Sequence, residues 1–122
     1  MDKNKRRELV EEYKKIKVYM GVAQIKNKVN GKIYIDSYPN LKNKWFTLQM
    51  QLDMGKFANA ELQKEWKEFG GADAFEYEVL EQKDAEKITD IRWEMKQILK
   101  PWFQKLQPFG DRGYNKPLKE IN

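Results

Sequence analysis

Asn30-Gly31 stands between two runs, YMGVAQIK at 19–26 and KIYIDS at 32–37, in which β-formers recur on alternate positions. A dipeptide that tolerates positive φ at two successive positions, set between such runs, is the strongest short-range signal for a β-hairpin. The next question is what each face of the second strand meets. Side chains at i and i+2 leave the same face, so Tyr34 and Asp36 are neighbours on one side, and Ile33 and Ile35 on the other. The isoleucines are the natural core face. The phenol and carboxylate mark either a site or the wet side of a sheet.

The rest of the chain supplies helices and one more strand. Leu9, Tyr13 and Ile16 fall at i, i+4 and i+7, which predicts an amphipathic helix over 2–16 that docks on the fold, with the main domain spanning 19–122. After Pro39, Leu41, Trp45, Leu48 and Leu52 trace a stripe predicting a helix over 41–53 that ends near Gly55. Asn59 reads as the N-cap of a helix over 59–69 carrying Leu62, Trp66 and Phe69, stopped by Gly70-Gly71. AFEYEVLE alternates Phe75, Tyr77 and Val79 with glutamates and predicts a third strand. A last helix is expected over 84–106, with Pro101 kinking or restarting it, because an interior proline costs ~3 kcal/mol. Trp45, Trp66, Trp93 and Trp102 all fall at or beside apolar helical positions, as core or groove residues do. The expected fold is α+β: a small three-stranded, largely antiparallel sheet with helices packed on it, and a core containing Ile33, Ile35, Phe75, Tyr77 and Val79.

Composition narrows the chemistry. The 122 residues suit one domain and contain neither cysteine nor histidine. That excludes disulfides, thiolate metal sites, thiol nucleophiles and every imidazole acid, base or ligand, and fits a reducing, cytoplasmic setting. No apolar run approaches the ~18 residues of a membrane span, and the basic start MDKNKRR is not followed by a signal-peptide core. The net charge of +5 is uneven: residues 1–60 hold 13 Lys/Arg against 6 Asp/Glu, residues 61–122 hold 11 against 13. Such a split is either the footprint of a polyanion site or a lysine-rich solvated surface.

GVAQIKNKVNGKIYID, NLKNKW, NAELQKEWKEFGGADAFEYEVLE and WFQKLQPFGDRGYN, in that order and spacing, resemble the GIY-YIG nuclease domain over roughly residues 20–115. The resemblance implies a GIY-YIG-like fold and a metal-dependent phosphodiesterase with a tyrosine in each hairpin strand, an arginine and a histidine on the next helix, and a metal-binding glutamate on the last. Carried over residue by residue, the first tyrosine falls on Ala23 and the second on Tyr34. The glycine after it falls on Asp36, the arginine on Lys44 and the histidine on Leu48. The glutamate falls on Leu99 when WFQKLQP is aligned with the end of the last helix.

The resemblance thus implies a degenerate member, with Tyr34 and Lys44 as remnant catalytic positions and no metal ligand. Lysine keeps the charge of arginine but loses its bidentate fork. General acid–base catalysis is worth ~10²–10⁴ in rate and a metal several kcal/mol, so losing both removes most of what separates a nuclease from a scaffold. Three functions follow: a noncatalytic nucleic-acid-binding or regulatory domain; a protein-interaction module using the old cleft; and a divalent-metal-dependent endonuclease, for which alone Mg²⁺ is expected. Weak, nonspecific nucleic-acid contact would fall to Lys26, Lys28, Lys32, Lys42, Lys44, Asn59 and Arg112. Each also has an ordinary reading: Asn59 as a cap, Arg112 as a turn residue, the lysines as solvated surface.

Overall fold

The structure is a computed structural model and describes residues 17–116. The expected helix over 2–16 and its docking lie outside the described residues. Three strands, β1 (Tyr19–Asn27), β2 (Ile33–Tyr38) and β3 (Phe75–Asp84), form an antiparallel sheet in the order β2-β1-β3. Helices α1 (Lys44–Asp53), α2 (Ala60–Glu68) and α3 (Ile91–Leu106) pack on it. The α+β class and the three-stranded antiparallel sheet are those read from the sequence.

The central strand is the reason for the architecture. Met20, Val22, Ala23 and Ile25 of β1 are all buried, although Met20 and Val22 leave one face of the sheet and Ala23 and Ile25 the other. On one face Ile25 packs with Leu48, Leu52, Leu62, Trp66, Phe75 and Tyr114 beneath α1 and α2; on the other Met20, Val22 and Ile35 pack with Ile98 and Phe103 of α3. The sheet is therefore covered on both sides. Ile33 and Ile35 define only one of two core faces, and the Tyr34 face is not a wet surface.

The hairpin loop is longer than a two-residue turn. Asn27 N–H donates to the Lys32 carbonyl, and Gly31 alone takes positive φ (77°). The buried Asn27 side chain decides this: its Oδ1 accepts from Val29 N–H at 2.8 Å and its Nδ2 donates to the Tyr114 hydroxyl at 3.1 Å. The closing Gly113-Tyr114-Asn115 returns to the β2 edge. Tyr114 N–H donates to the Ile33 carbonyl, and the Asn115 side chain both accepts from Ile35 N–H (2.9 Å) and donates to the Ile35 carbonyl (2.8 Å). This covers an edge that would otherwise expose unpaired backbone.

Four expectations need correction or narrowing. The last helix starts at Ile91, not at 84, because β3 pairs with β1 as far as Tyr19↔Asp84; Asp84 then caps a 3-10 turn and Asp90 caps α3 through Trp93 N–H. Of the two outcomes expected at Pro101, a restart does not occur: α3 runs through it and carries buried side chains on both sides, Ile98 and Phe103. Val79 is 40% exposed: a register irregularity opposite Val22/Ala23 turns Leu80 into the Met20–Val22 cluster and leaves Val79 outside. Trp93 is 58% exposed and lies outside the core, at the lining of a surface cleft.

Candidate functional site

Three side chains leave β2 on the α1 side: Tyr34, Asp36 and Tyr38. The strand period makes them adjacent, and the first residue of α1 adds the Lys44 ammonium 4.7 Å from the centre of the Tyr38 ring. Tyr34 donates its hydroxyl to Asp36 Oδ2 at 3.3 Å, and Asp36 Oδ1 accepts from Ser37 N–H at 2.8 Å. Phe57 meets the Tyr34 ring edge-on at 5.4 Å. Trp45 stacks on Tyr77 of β3 at 5.3 Å and 11°, and the Tyr77 hydroxyl is buried without a hydrogen-bond partner. The result is a pair of phenols, Tyr34 and Tyr38, beside one carboxylate and one ammonium, with Tyr77 next to Tyr38 and stacked on Trp45.

Its electrostatics oppose ionisation of the phenols. Burial pushes the Tyr34 hydroxyl well above its ordinary value, and the Asp36 charge and hydrogen bond push it further. Burial does the same to Tyr38, with Asp36 adding to it, and raises Tyr77. Asp36 is itself raised by burial, against the hydrogen bonds from Ser37 and Tyr34 and the nearby Lys44 charge. At neutral pH the phenols are donors rather than bases.

The raised Asp36 has a stability consequence. A carboxyl whose folded pKa exceeds its unfolded one binds a proton more tightly in the native state. Its ionisation therefore lowers stability as pH rises from about 4, the unfolded value, through the folded value. Asp36→Asn is expected to raise the melting temperature at pH 7, and the gain over the parent should shrink as pH falls through the folded value and be lost by about pH 4. A variant less stable than the parent at pH 7 would show that Asp36 is held by favourable pairing.

The other residues singled out from the sequence do not all gather here. Lys26 lies on the opposite face of the sheet, in register with Ile33 and Glu76. Lys32 is committed to Glu61 at 2.6 Å, a bond that raises its pKa, and its ammonium sits 5.5 Å above the Tyr114 ring. Asn59 caps α2 through Leu62 N–H at 3.0 Å and donates to the Tyr114 carbonyl at 2.7 Å, so both ends of its amide are used within the fold. Lys28 and Lys42 are exposed, with no ion pair among the described residues, and Arg112 is exposed in a 3-10 turn over Gly110–Arg112. Sequence reasoning missed Tyr38 and Tyr77. Tyr38 was legible as the next residue on the Tyr34–Asp36 face; Tyr77 was not, because only the β3 pairing brings it there.

Of the remaining implied positions, Ala23 sits directly across from Asp36 in the β1–β2 register and is buried. Leu48 is buried in the α1–α2 core, whereas Leu99 packs into the α3 core on the other face. Among the described residues no group of three or more Asp, Glu, His or Cys side chains is arranged to hold a metal, and no helix is long and apolar enough to cross a membrane.

The sheet order and the flanking helices are those of a GIY-YIG-like α+β fold. Among solved structures the chain is similar to the catalytic domain of the homing endonuclease I-TevI, with a TM-score of 0.64 and 27% identity over 79% of this chain and 96% of that one. It is also similar to a mutant form of the catalytic domain of intron endonuclease I-TevI, with a TM-score of 0.61 and 26% identity over 80% and 92% of the two chains. No family model and no curated protein matches the chain.

Proposed function

We propose that the chain is a GIY-YIG-like domain that does not cleave phosphodiesters and instead makes weak, sequence-independent contact with nucleic acid. The likeness to a homing endonuclease domain supports nucleic acid as the ligand class. The observation that carries the noncatalytic part is the Tyr34–Asp36 pair. The remaining tyrosine donates to a carboxylate that occupies the glycine position, and burial together with that carboxylate opposes formation of a phenolate. Of the other implied positions only Lys44 keeps a charge; Ala23, Leu48 and Leu99 are apolar and offer no proton to transfer and no oxygen to a cation.

The residues also do not fit the divalent ion that the resemblance implies. Leu99 cannot ligate, and Asp36 has no second carboxylate beside it: among the described residues no group of three or more Asp, Glu, His or Cys side chains could hold a metal. No step is therefore routed through a metal. Of the cations singled out from the sequence, Lys28, Lys42, Lys44 and Arg112 are left to meet phosphate, since Lys26 faces away and Lys32 is paired.

Two to three phosphate contacts give a salt slope of about −2 to −3 on duplex DNA. Binding of a labelled duplex should then weaken about 10- to 40-fold between 50 and 200 mM salt. Lys28→Ala combined with Lys42→Ala should flatten the slope by about 2. Fluorescence anisotropy measures both. An unchanged slope in the double variant, or no binding at the lower salt, would contradict the proposal and favour a second reading, a protein-interaction module. That reading has its own observation: Phe46, Met50 and Met54, at i, i+4 and i+8, are 66%, 47% and 60% exposed along one side of α1 and its C-terminal end.

A further inference from the structure

Where β3 gives way to α3, the surface opens into a cleft of about 640 Å³ lined by Asp84, Lys87, Ile88, Asp90, Trp93 and Glu94 among others. It lies outside the phenol cluster and has no part in the function proposed above. Trp93 stands at it 58% exposed, and Ile88 is half-buried against the α3 core. The described chain begins at this same place. Lys17 pairs with Asp84 at 3.4 Å, the Val18 carbonyl accepts from Ala85 N–H at 2.9 Å, and Tyr19 sits opposite Asp84 in the sheet. Residues 1–16 are therefore tethered at the edge of the cleft.

We propose that residues 2–16 dock as an amphipathic helix over this cleft, laying Leu9, Tyr13 and Ile16 against Trp93 and Ile88. The stripe at i, i+4 and i+7 supplies an apolar face that has to be buried somewhere. At a rise of about 1.5 Å per residue, Ile16 and Tyr13 lie within about 6 Å of the Lys17 tether along the helix axis and Leu9 within about 12 Å. A short tether makes the contact intramolecular and raises its effective concentration into the millimolar range. The charges are opposite in sign: the segment holds six Lys/Arg against four Asp/Glu, and the cleft lining holds three carboxylates against two lysines.

The chain has no cysteine, so one introduced by Glu12→Cys takes a nitroxide label at a single place. In the full-length labelled protein the Trp93 indole N–H resonance is expected to lose most of its intensity relative to the reduced label. Adding Leu9→Asp and Tyr13→Asp should restore it; these positions lie outside the described fold, whose core residues are unchanged. Trp93 remaining as intense as the buried Trp66 overturns the proposal, as does broadening that survives the double substitution. Broadening centred on Trp45 would move the docking to α1, and broadening seen only on mixing labelled with isotopically enriched copies would make the occupant a second chain; either result also overturns it.

Discussion

Trp66→Ala is expected to lower the free energy of unfolding by about 3–5 kcal/mol, the range for removing a large aromatic from a core. The indole is 2% exposed and meets Trp45 edge-on at 5.9 Å and Phe75 at 5.1 Å, joining α1, α2 and β3 at one point. Its Nε1 donates to Asp53 Oδ1 at 2.9 Å, which ties the end of α1 to α2. Trp66→Phe separates the two contributions, since it keeps most of the packing and loses a hydrogen bond worth about 1 kcal/mol net. Urea unfolding of the three proteins measures the difference. A loss below about 1 kcal/mol for Trp66→Ala would mean that this cluster is not the centre of the core.

Gly21→Ala should cost about 3 kcal/mol, the upper end of overpacking effects, for a reason unrelated to glycine's φ freedom. A Cβ built at Gly21 would lie 2.0 Å from the Glu81 carbonyl oxygen, 3.0 Å from Gln82 Cα and 2.9 Å from Leu41 Cδ1. The first two are backbone atoms of β3, so no rotamer change relieves them and the strands must part at the site of their register irregularity. The same denaturation experiment reads it. A near-neutral variant would show that β1 and β3 do not approach so closely at this point.

What was legible in the sequence was local. The Asn30-Gly31 hairpin, the Asn59 cap and the α1 stripe each come from residues within a turn or two of one another, and each is found in place, except that α1 starts at Lys44 and leaves Leu41 ahead of it. The misplaced features depend on partners far along the chain. Asp84 and Asp90 are equally good capping residues, and only the pairing of Asp84 with Tyr19 extends the strand and delays the helix. Alternation in β2 separates two faces but does not say that α1 and α2 cover one while α3 covers the other. Lys32 looks like a solvated lysine until Glu61, on α2, is brought to its side. In the candidate site, Tyr34, Asp36 and Lys44 were picked out from the sequence, whereas Tyr77 and the far-side location of Lys26 required the sheet register.

The most direct test of a noncatalytic site is incubation of the purified protein with supercoiled plasmid and with single-stranded DNA in the presence of Mg²⁺ or Mn²⁺. A protonated Tyr34 bound to Asp36, with alanine and leucine at the neighbouring implied positions, predicts plasmid that stays supercoiled and single strands that stay intact, as in the protein-free control. Metal-dependent nicking that disappears in Tyr34→Phe would contradict this and make the Tyr34–Asp36 pair part of a working active site.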